Sequence, residues 1–293
     1  MMRSARAVLH GLIDYAGLFP PAGLPMSEAV RNYASYQRRA EHWALGRFVT
    51  PVARLGEFVT ALEALSEGER FGARWPIAAL ASADLAAEVT RVEAFNDRFV
   101  HGGPEVQSLE ARVGSLEEIQ AVGVTVPPRY EVYLELPLAE SLPRLVEAVR
   151  GVGARAKIRT GGVKEADIPA PEAVLAFLVA TAAARAPFKA TAGLHHPVRG
   201  STPLTYEAGS ASAKAFGYLN VVLAATLLWH GRPPGDAFRL LVAEDRAGLV
   251  LSQDQIRWEG LEIRHDEIVR ARREFALAVG SCSFTEPIEE IEL

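Results

Sequence analysis

The sequence predicts an α/β protein that folds as a (β/α)8 TIM barrel with a helical insertion between strands 7 and 8. Eight strand-like runs alternate with helical patterns along the 293 residues, which is the pattern of a barrel of parallel strands. Strand starts recur at intervals of roughly 25 to 38 residues through strand 7, as expected of repeated βα units. The alternative is a doubly wound open sheet, but no Gly-rich nucleotide loop follows strand 1.

The first half of the chain contains five strand–helix units. Strand 1 begins near Val8, and a Pro/Gly loop that is a candidate lid leads to a helix with Ser27 as its N-cap. The other units follow in order: strand 2 from Gly46 with a helix over 53–65, strand 3 from Trp75 with a helix from Ser82 to about Phe99, strand 4 from Val106 with a helix from Ser115, and strand 5 from Tyr130 with a helix over 139–149.

The second half contains three strands and a longer connection. Strand 6 begins at Ala154 and is followed by a helix from Pro171, a residue suited to the first helical turn; strand 7 begins at Phe188. The segment 200–278 is predicted to be a helical insertion, with helices over 210–230, 234–244 and 266–278. Strand 8 then begins at Ala278, so we expect one barrel domain over 1–293 that contains this insertion.

Composition narrows the classes of function. The hydrophobic content of 49% supports a large core, and a net charge of −5 gives no indication of nucleic-acid binding. The single cysteine, Cys282, excludes an internal disulfide and fits a reducing compartment. The apolar run over 215–229 is too short to span a membrane and is a candidate oligomer contact. We therefore expect a soluble, cytoplasmic protein without membrane or nucleic-acid partners, and possibly a homo-oligomer.

Lysines occupy interior positions of two consecutive strands. Side chains alternate between the faces of a strand, so Lys157 shares a face with Arg159, and Lys189 shares a face with Thr191. Two parallel strands joined by one helix are usually neighbours in the sheet. Burying unpaired cations costs several kcal/mol each, so stability alone does not explain them.

The carboxyl ends of the strands, where barrel active sites lie, carry further charges. The inward positions add carboxylates at Asp14, Glu110 and Glu135 and a cation at Arg112. Four cations then face two or three carboxylates, which indicates a positive pocket for a small anionic carbonyl substrate. A lysine crowded by other cations has a lowered pKa, which makes its amine a nucleophile toward a carbonyl group.

Three strand ends resemble those of the class I aldolase barrels, with deoxyribose-phosphate aldolase the nearest family. The segments are AKIRTGG, FKATAGLHHPVR and VGSCSF, about 20 residues in all. The resemblance implies a lyase in which Lys157 forms the Schiff base and Lys189 lowers its pKa, without cofactor or metal. It also implies that Ser281 and Ser283 lie near the anionic end of the substrate.

Other residues complete the hypothesis. Glu135 or Glu110 would move protons, and His195 is a candidate general acid or base. Substrate-binding candidates are the following: Arg159, Arg112, Asp14, Thr191, Ser281 and Ser283. The chain departs from the aldolase pattern at Arg159, where that family has a small polar residue, at Leu194-His195-His196, which replaces a glycine turn, and in its longer insertion.

Two other interpretations stay open. A metal-dependent lyase, isomerase or hydrolase would use His195 with the inward carboxylates, since histidine and carboxylates suit zinc or manganese. A non-catalytic barrel with paired inner charges would bind an anionic metabolite or a partner protein, with 200–278 as the partner surface. The metal-dependent enzyme differs from the lysine hypothesis in requiring bound metal. The non-catalytic barrel differs from it in lacking covalent chemistry.

Overall fold

A computed structural model describes residues 1–66 and 74–292 and confirms the barrel. Eight parallel strands close into one sheet in which each strand pairs with the next along the barrel and the eighth pairs with the first. The barrel strands are β1 Ile13–Tyr15, β2 Leu45–Pro51, β3 Arg74–Leu80, β4 Gly103–Arg112, β5 Glu131–Glu135, β6 Arg155–Arg159, β7 Phe188–Thr191 and β8 Ala276–Ser281.

Helices surround the barrel and bury their apolar sides against it. The described α-helices are α1 Arg3–Leu9, α2 Met26–Tyr36, α3 Leu55–Glu63, α4 Leu85–Arg98, α5 Leu116–Thr125, α6 Leu142–Gly151, α7 Pro171–Ala183, α8 Tyr218–Trp229, α9 Pro234–Val242, α10 His265–Glu274 and α11 Thr285–Glu292. Short 3-10 turns occupy His42–Ala44, Val52–Arg54 and Glu165–Asp167. Ser115 caps α5 in a reciprocal capping box with Glu118, which confirms the predicted start of that helix.

The start of the chain differs from the prediction. Val8 and Leu9 end helix α1, and β1 spans only Ile13–Tyr15. A short apolar run does not distinguish a strand from a buried helical turn, which explains the error. The buried guanidinium of Arg272 on α10 holds the end of α1 in place. It donates to the carbonyl oxygens of Val8 at 2.8 Å and of His10 at 3.1 Å.

The segment between β7 and β8 contains the three predicted helices, α8, α9 and α10, together with two small sheets that were not predicted. A two-stranded sheet joins Gly200–Pro203 to Ser212–Ala215, so the first helix begins at Tyr218 and not near Ser210. A three-stranded antiparallel sheet is formed by Val250–Leu251, Gln255–Trp258 and Leu261–Arg264. The segment is therefore partly helical and partly β.

Two apolar helices, α7 and α8, lie in the outer layer of the barrel. Within the described residues, the stretch Glu165–Ala183 is long and apolar enough to cross a membrane by length and composition alone. Its helix α7 packs against α6, α8 and α9 in the outer layer of the barrel. In α8 every residue except Leu228 is buried, so the apolar surface of this helix is covered inside the chain.

Candidate active site

Strand register brings the predicted charged residues side by side. Arg112 on β4 is the register partner of Glu135 on β5, and Glu135 is the partner of Lys157 on β6. Lys157 is in turn the partner of Lys189 on β7. The expected adjacency of the two lysines is therefore observed, and it follows from strand alternation within a single βα unit.

The two lysines belong to one buried chain of ion pairs. The Lys189 ammonium lies 2.5 Å from Asp14 Oδ2 and 2.6 Å from Glu110 Oε1. The Lys157 ammonium lies 2.9 Å from Glu110 Oε2 and 3.0 Å from Glu135 Oε2. Glu110 thus bridges both lysines, one with each carboxylate oxygen. This network of Asp14, Lys189, Glu110, Lys157 and Glu135 is called the lysine network below.

Burial makes the charges of this network strongly dependent on one another. Burial alone would raise the pKa of Glu110, but Lys189 and Lys157 outweigh that effect and hold the pKa at about 2. Burial alone would lower the pKa of Lys189, but Asp14 and Glu110 reverse the effect and keep it above the usual value. Glu110 is therefore anionic and Lys189 cationic at neutral pH.

Asp14 is held in place by the backbone of β2. Its Oδ1 atom accepts the Arg47 backbone N–H at 2.7 Å, which leaves Oδ2 for Lys189. Gly46 makes this approach possible, because a Cβ atom there would lie 2.2 Å from Asp14 Oδ1. The glycine before Arg47 therefore fixes the carboxylate that neutralises Lys189.

The loops after β6 and β7 meet closely beside the lysines. The Thr160 hydroxyl donates to the Ala192 carbonyl oxygen at 2.7 Å. A Cβ at Gly161 would approach the Gly193 Cα to 3.2 Å, and Gly193 has a φ of 78° that favours glycine. These two glycines let both strand ends stay together above the lysine network.

A cavity of about 500 Å³ opens at the carboxyl end of the barrel, where barrel enzymes place their active sites. Glu110, Lys157 and Lys189 form its charged floor. The β1–α2 loop contributes Phe19, Pro20 and Pro21 to the wall, so the predicted lid loop borders the cavity. The hairpin after β7 covers another side with Thr202, Pro203, Leu204, Thr205, Tyr206 and Glu207.

No protein-family model, curated protein or solved structure matches this chain. The observed architecture is a TIM-barrel-like fold, which commonly carries enzymes but does not specify a reaction. The resemblance to class I aldolases therefore rests on the three strand-end segments alone. The chemistry of the site has to be inferred from its own geometry.

The arginines lie differently from the lysines. Arg112 pairs with Glu135 at 2.8 Å, but 74% of its side chain is exposed. Arg159 is also exposed and donates to the Gly161 carbonyl oxygen at the cavity wall. The charged residues that line the cavity in the described chain are Lys157, Arg159 and Lys189 against Glu110, Asp167, Glu207 and Glu286. The predicted excess of cations is therefore not found. Asp167, Glu207 and Glu286 add carboxylates to the cavity, and strand alternation could not predict them because they do not lie on the barrel strands.

Strand β8 and the turn after it present different residues from those expected. Gly280 and Cys282 line the cavity, whereas Ser281 and Ser283 lie outside its described lining. A register irregularity between Ala276 and Ala278 accompanies this change of face. Burial raises the pKa of the Cys282 thiol to about 11, which fits a small buried side chain and not a nucleophile. Thr191 lines the cavity as expected.

His195 lies in the upper wall with residues that the sequence did not connect to it. Its Nδ1 is 3.0 Å from Ser281 Oγ and 3.7 Å from Glu286 Oε2. The Tyr206 hydroxyl donates to Glu286 Oε1 at 2.9 Å. Tyr206 and Glu286 come from the hairpin and from α11, and no pattern in the sequence indicated that these elements meet.

The metal interpretation requires a cluster of ligating side chains. In residues 1–66 and 74–292, no group of three or more His, Cys, Asp or Glu side chains is arranged to hold a metal ion. The carboxylates that such a site would need, Asp14, Glu110 and Glu135, contact lysines instead. His196, adjacent to His195, binds Glu290 at 2.8 Å.

We expect His195 to be uncharged at neutral pH. Burial, with a smaller contribution from His196, lowers its pKa to about 4. Nitrogen-15 NMR of the histidine rings should show a neutral imidazole at pH 7 with a midpoint near pH 4, assigned by the signal lost in His195→Gln. A midpoint above about pH 6 would contradict the buried position of this ring.

Proposed function

We propose that this protein is an aldolase-type lyase in which Lys157 forms an imine with a small carbonyl compound. One observation carries the proposal: two buried lysines share a single carboxylate, Glu110, at the floor of a cavity at the carboxyl end of the barrel. An anionic group on the substrate, such as a carboxylate, would lie near Arg159, at the cavity wall.

The neighbours of Lys157 suit the start of imine formation. The amine must first lose a proton, for which Glu135 offers an acceptor at 3.0 Å, while Glu110 at 2.9 Å stays anionic. Lys189 stays protonated between Asp14 and Glu110, so its amine is not available as the nucleophile. Its role would thus be electrostatic, while Lys157 reacts.

The reaction then follows the chemistry of amines with carbonyls. Attack of the amine forms a C–N bond, and the carbonyl oxygen leaves as water, giving a protonated imine. Where the substrate has a β-hydroxyl group, removal of its proton lets the Cα–Cβ bond break. The electron pair moves to the imine nitrogen and yields an enamine and an aldehyde; protonation of the enamine and addition of water release the second product and regenerate the amine.

The use of lysine in this chain supports an amine function. Only four of its 31 lysine and arginine residues are lysines. Two of them are Lys157 and Lys189, with exposed fractions of 6% and 1%. Arginine provides the same positive charge but does not lose its proton in proteins, whereas a lysine amine does. The interior positions therefore use the cation that can become a nucleophile.

The first test is reductive trapping. The protein is treated with borohydride and a panel of small aldehydes and keto acids, and adducts are mapped by mass spectrometry. We expect an adduct at Lys157 in addition to any labelling of the exposed lysines. Labelling confined to the exposed Lys164 and Lys214 would overturn the proposal and favour a barrel that only binds its ligand, since both buried lysines are already paired with carboxylates.

A further inference from the structure

Resting on the proposed function, we propose that the carbonyl substrate has an apolar alkyl or aryl body and carries no phosphoryl group. The cavity combines a small charged floor with a wide apolar wall. That wall is formed by Phe19, Pro20, Pro21, Val49, Leu80, Ile168 and Leu204. A volume of about 500 Å³ is within the usual range of small-molecule sites, whose walls bind the apolar part of the ligand.

The turn after β8, which the aldolase resemblance placed near the anionic end of the substrate, is occupied by its own side chains. After β8, the Ser283 backbone N–H donates to Ser281 Oγ at 3.3 Å. The Glu286 backbone N–H donates to Ser283 Oγ, also at 3.3 Å. The amides and hydroxyls of this turn therefore bond to one another. Glu286 on the cavity side adds a carboxyl group where a phosphate would need donors.

The second candidate turn, the Gly161-Gly162 pair after β6, is filled by a carboxylate. Asp167 Oδ2 accepts the Lys164 backbone N–H at 3.1 Å. The same oxygen lies 2.3 Å from where a Cβ of Gly162 would be. An aspartate thus occupies the place where an anion would approach the glycine backbone, and like charges repel a phosphate there.

The cations of the floor are also engaged. Lys189 contacts two carboxylates, and Lys157 contacts two carboxylates. Binding a dianionic phosphate at these lysines would therefore break buried ion pairs, which is costly, and Arg159 at the wall already donates to the Gly161 carbonyl oxygen. An uncharged apolar body requires no such rearrangement and gains from leaving water.

Labelling competition provides the test. The protein is trapped with borohydride and either 3-phenylpropanal or glyceraldehyde 3-phosphate, and labelling of Lys157 is divided by labelling of the exposed Lys214 in the same sample. This ratio removes differences in intrinsic aldehyde reactivity. We expect it to be at least about 10-fold higher for 3-phenylpropanal. An equal ratio, or a higher one for the phosphate, would overturn this inference while leaving Lys157 as the reactive amine.

Two variants and a pair of ligands without a carbonyl group provide further tests. Leu204→Arg places a charge in the apolar wall and should lower the ratio for 3-phenylpropanal several-fold, whereas Val124→Arg, at a site that is 90% exposed, should not. Calorimetry with 3-phenylpropan-1-ol and glycerol 3-phosphate tests the ligand class without imine chemistry. Tighter binding of the alcohol would support the inference even if no adduct forms, and tighter binding of the phosphate would overturn it.

Discussion

Replacing Lys157 by methionine is expected to abolish reductive labelling in the cavity and any turnover while leaving the barrel folded. Methionine keeps a long apolar stem, and both carboxylates released by the change retain a cation. Glu110 still binds Lys189, and Glu135 still binds Arg112. Mass spectrometry after trapping measures the loss, and circular dichroism measures folding.

The control is Lys214→Met, which removes an exposed lysine that pairs with Glu244 outside the cavity. It should lose only surface labelling and keep the Lys157 adduct. An undiminished cavity adduct in Lys157→Met would remove Lys157 from the mechanism. Labelling that persists in Lys157→Met but disappears in Lys189→Met would instead assign the imine to Lys189.

The largest expected effect on stability comes from Glu110→Gln. The change leaves both lysines buried with one carboxylate each, Asp14 for Lys189 and Glu135 for Lys157. Removing one partner of a buried pair costs about 3–5 kcal/mol, and the remaining partners suggest the lower end, about 3 kcal/mol. Urea denaturation at pH 7 measures the free energy of unfolding. Glu57→Gln, the same change in the exposed pair with Arg54, should cost less than about 1 kcal/mol.

The same variant has a defined pH dependence. The pKa of Glu110 is about 2 in the folded protein, below the value of about 4.3 expected when unfolded. Its carboxylate therefore stabilises the fold above about pH 4.3, and this contribution disappears as the pH falls toward 2. The difference in unfolding free energy between wild type and Glu110→Gln should shrink over that range. A difference that stays constant with pH would show that Glu110 is not the charged centre of the network.

The periodicity of the strands was sufficient to predict the barrel fold and the charged residues in its interior. Eight alternating strand and helix patterns indicated the closed sheet, and alternation within β6 and β7 put Lys157 beside Lys189. Both features depend on local repeats and on the rule that consecutive parallel strands are neighbours. They are therefore readable from a single sequence.

Contacts across the barrel interior could not be predicted from strand periodicity. The pairing of Lys189 with Asp14 joins residues 175 positions apart, and strand parity does not say which charges meet across the barrel. Strand β8 has a register irregularity between Ala276 and Ala278, which the sequence did not indicate. Cys282 lines the cavity where Ser281 and Ser283 were expected. Tyr206 and Glu286 were missed because the hairpin lies in a segment that was expected to be a helical insertion, and no helix was predicted after strand 8.

The bonds from Arg272 to Val8 and His10 have a consequence for how the protein is made. They join residues more than 260 positions apart, and β1, which pairs with β2 on one edge, finds the partner for its other edge only in β8. On the ribosome, the first strand therefore leaves the exit tunnel long before the segment that covers its edge. Asp14 is likewise synthesised 175 residues before its partner Lys189. The charged interior of the barrel can therefore form only late in synthesis.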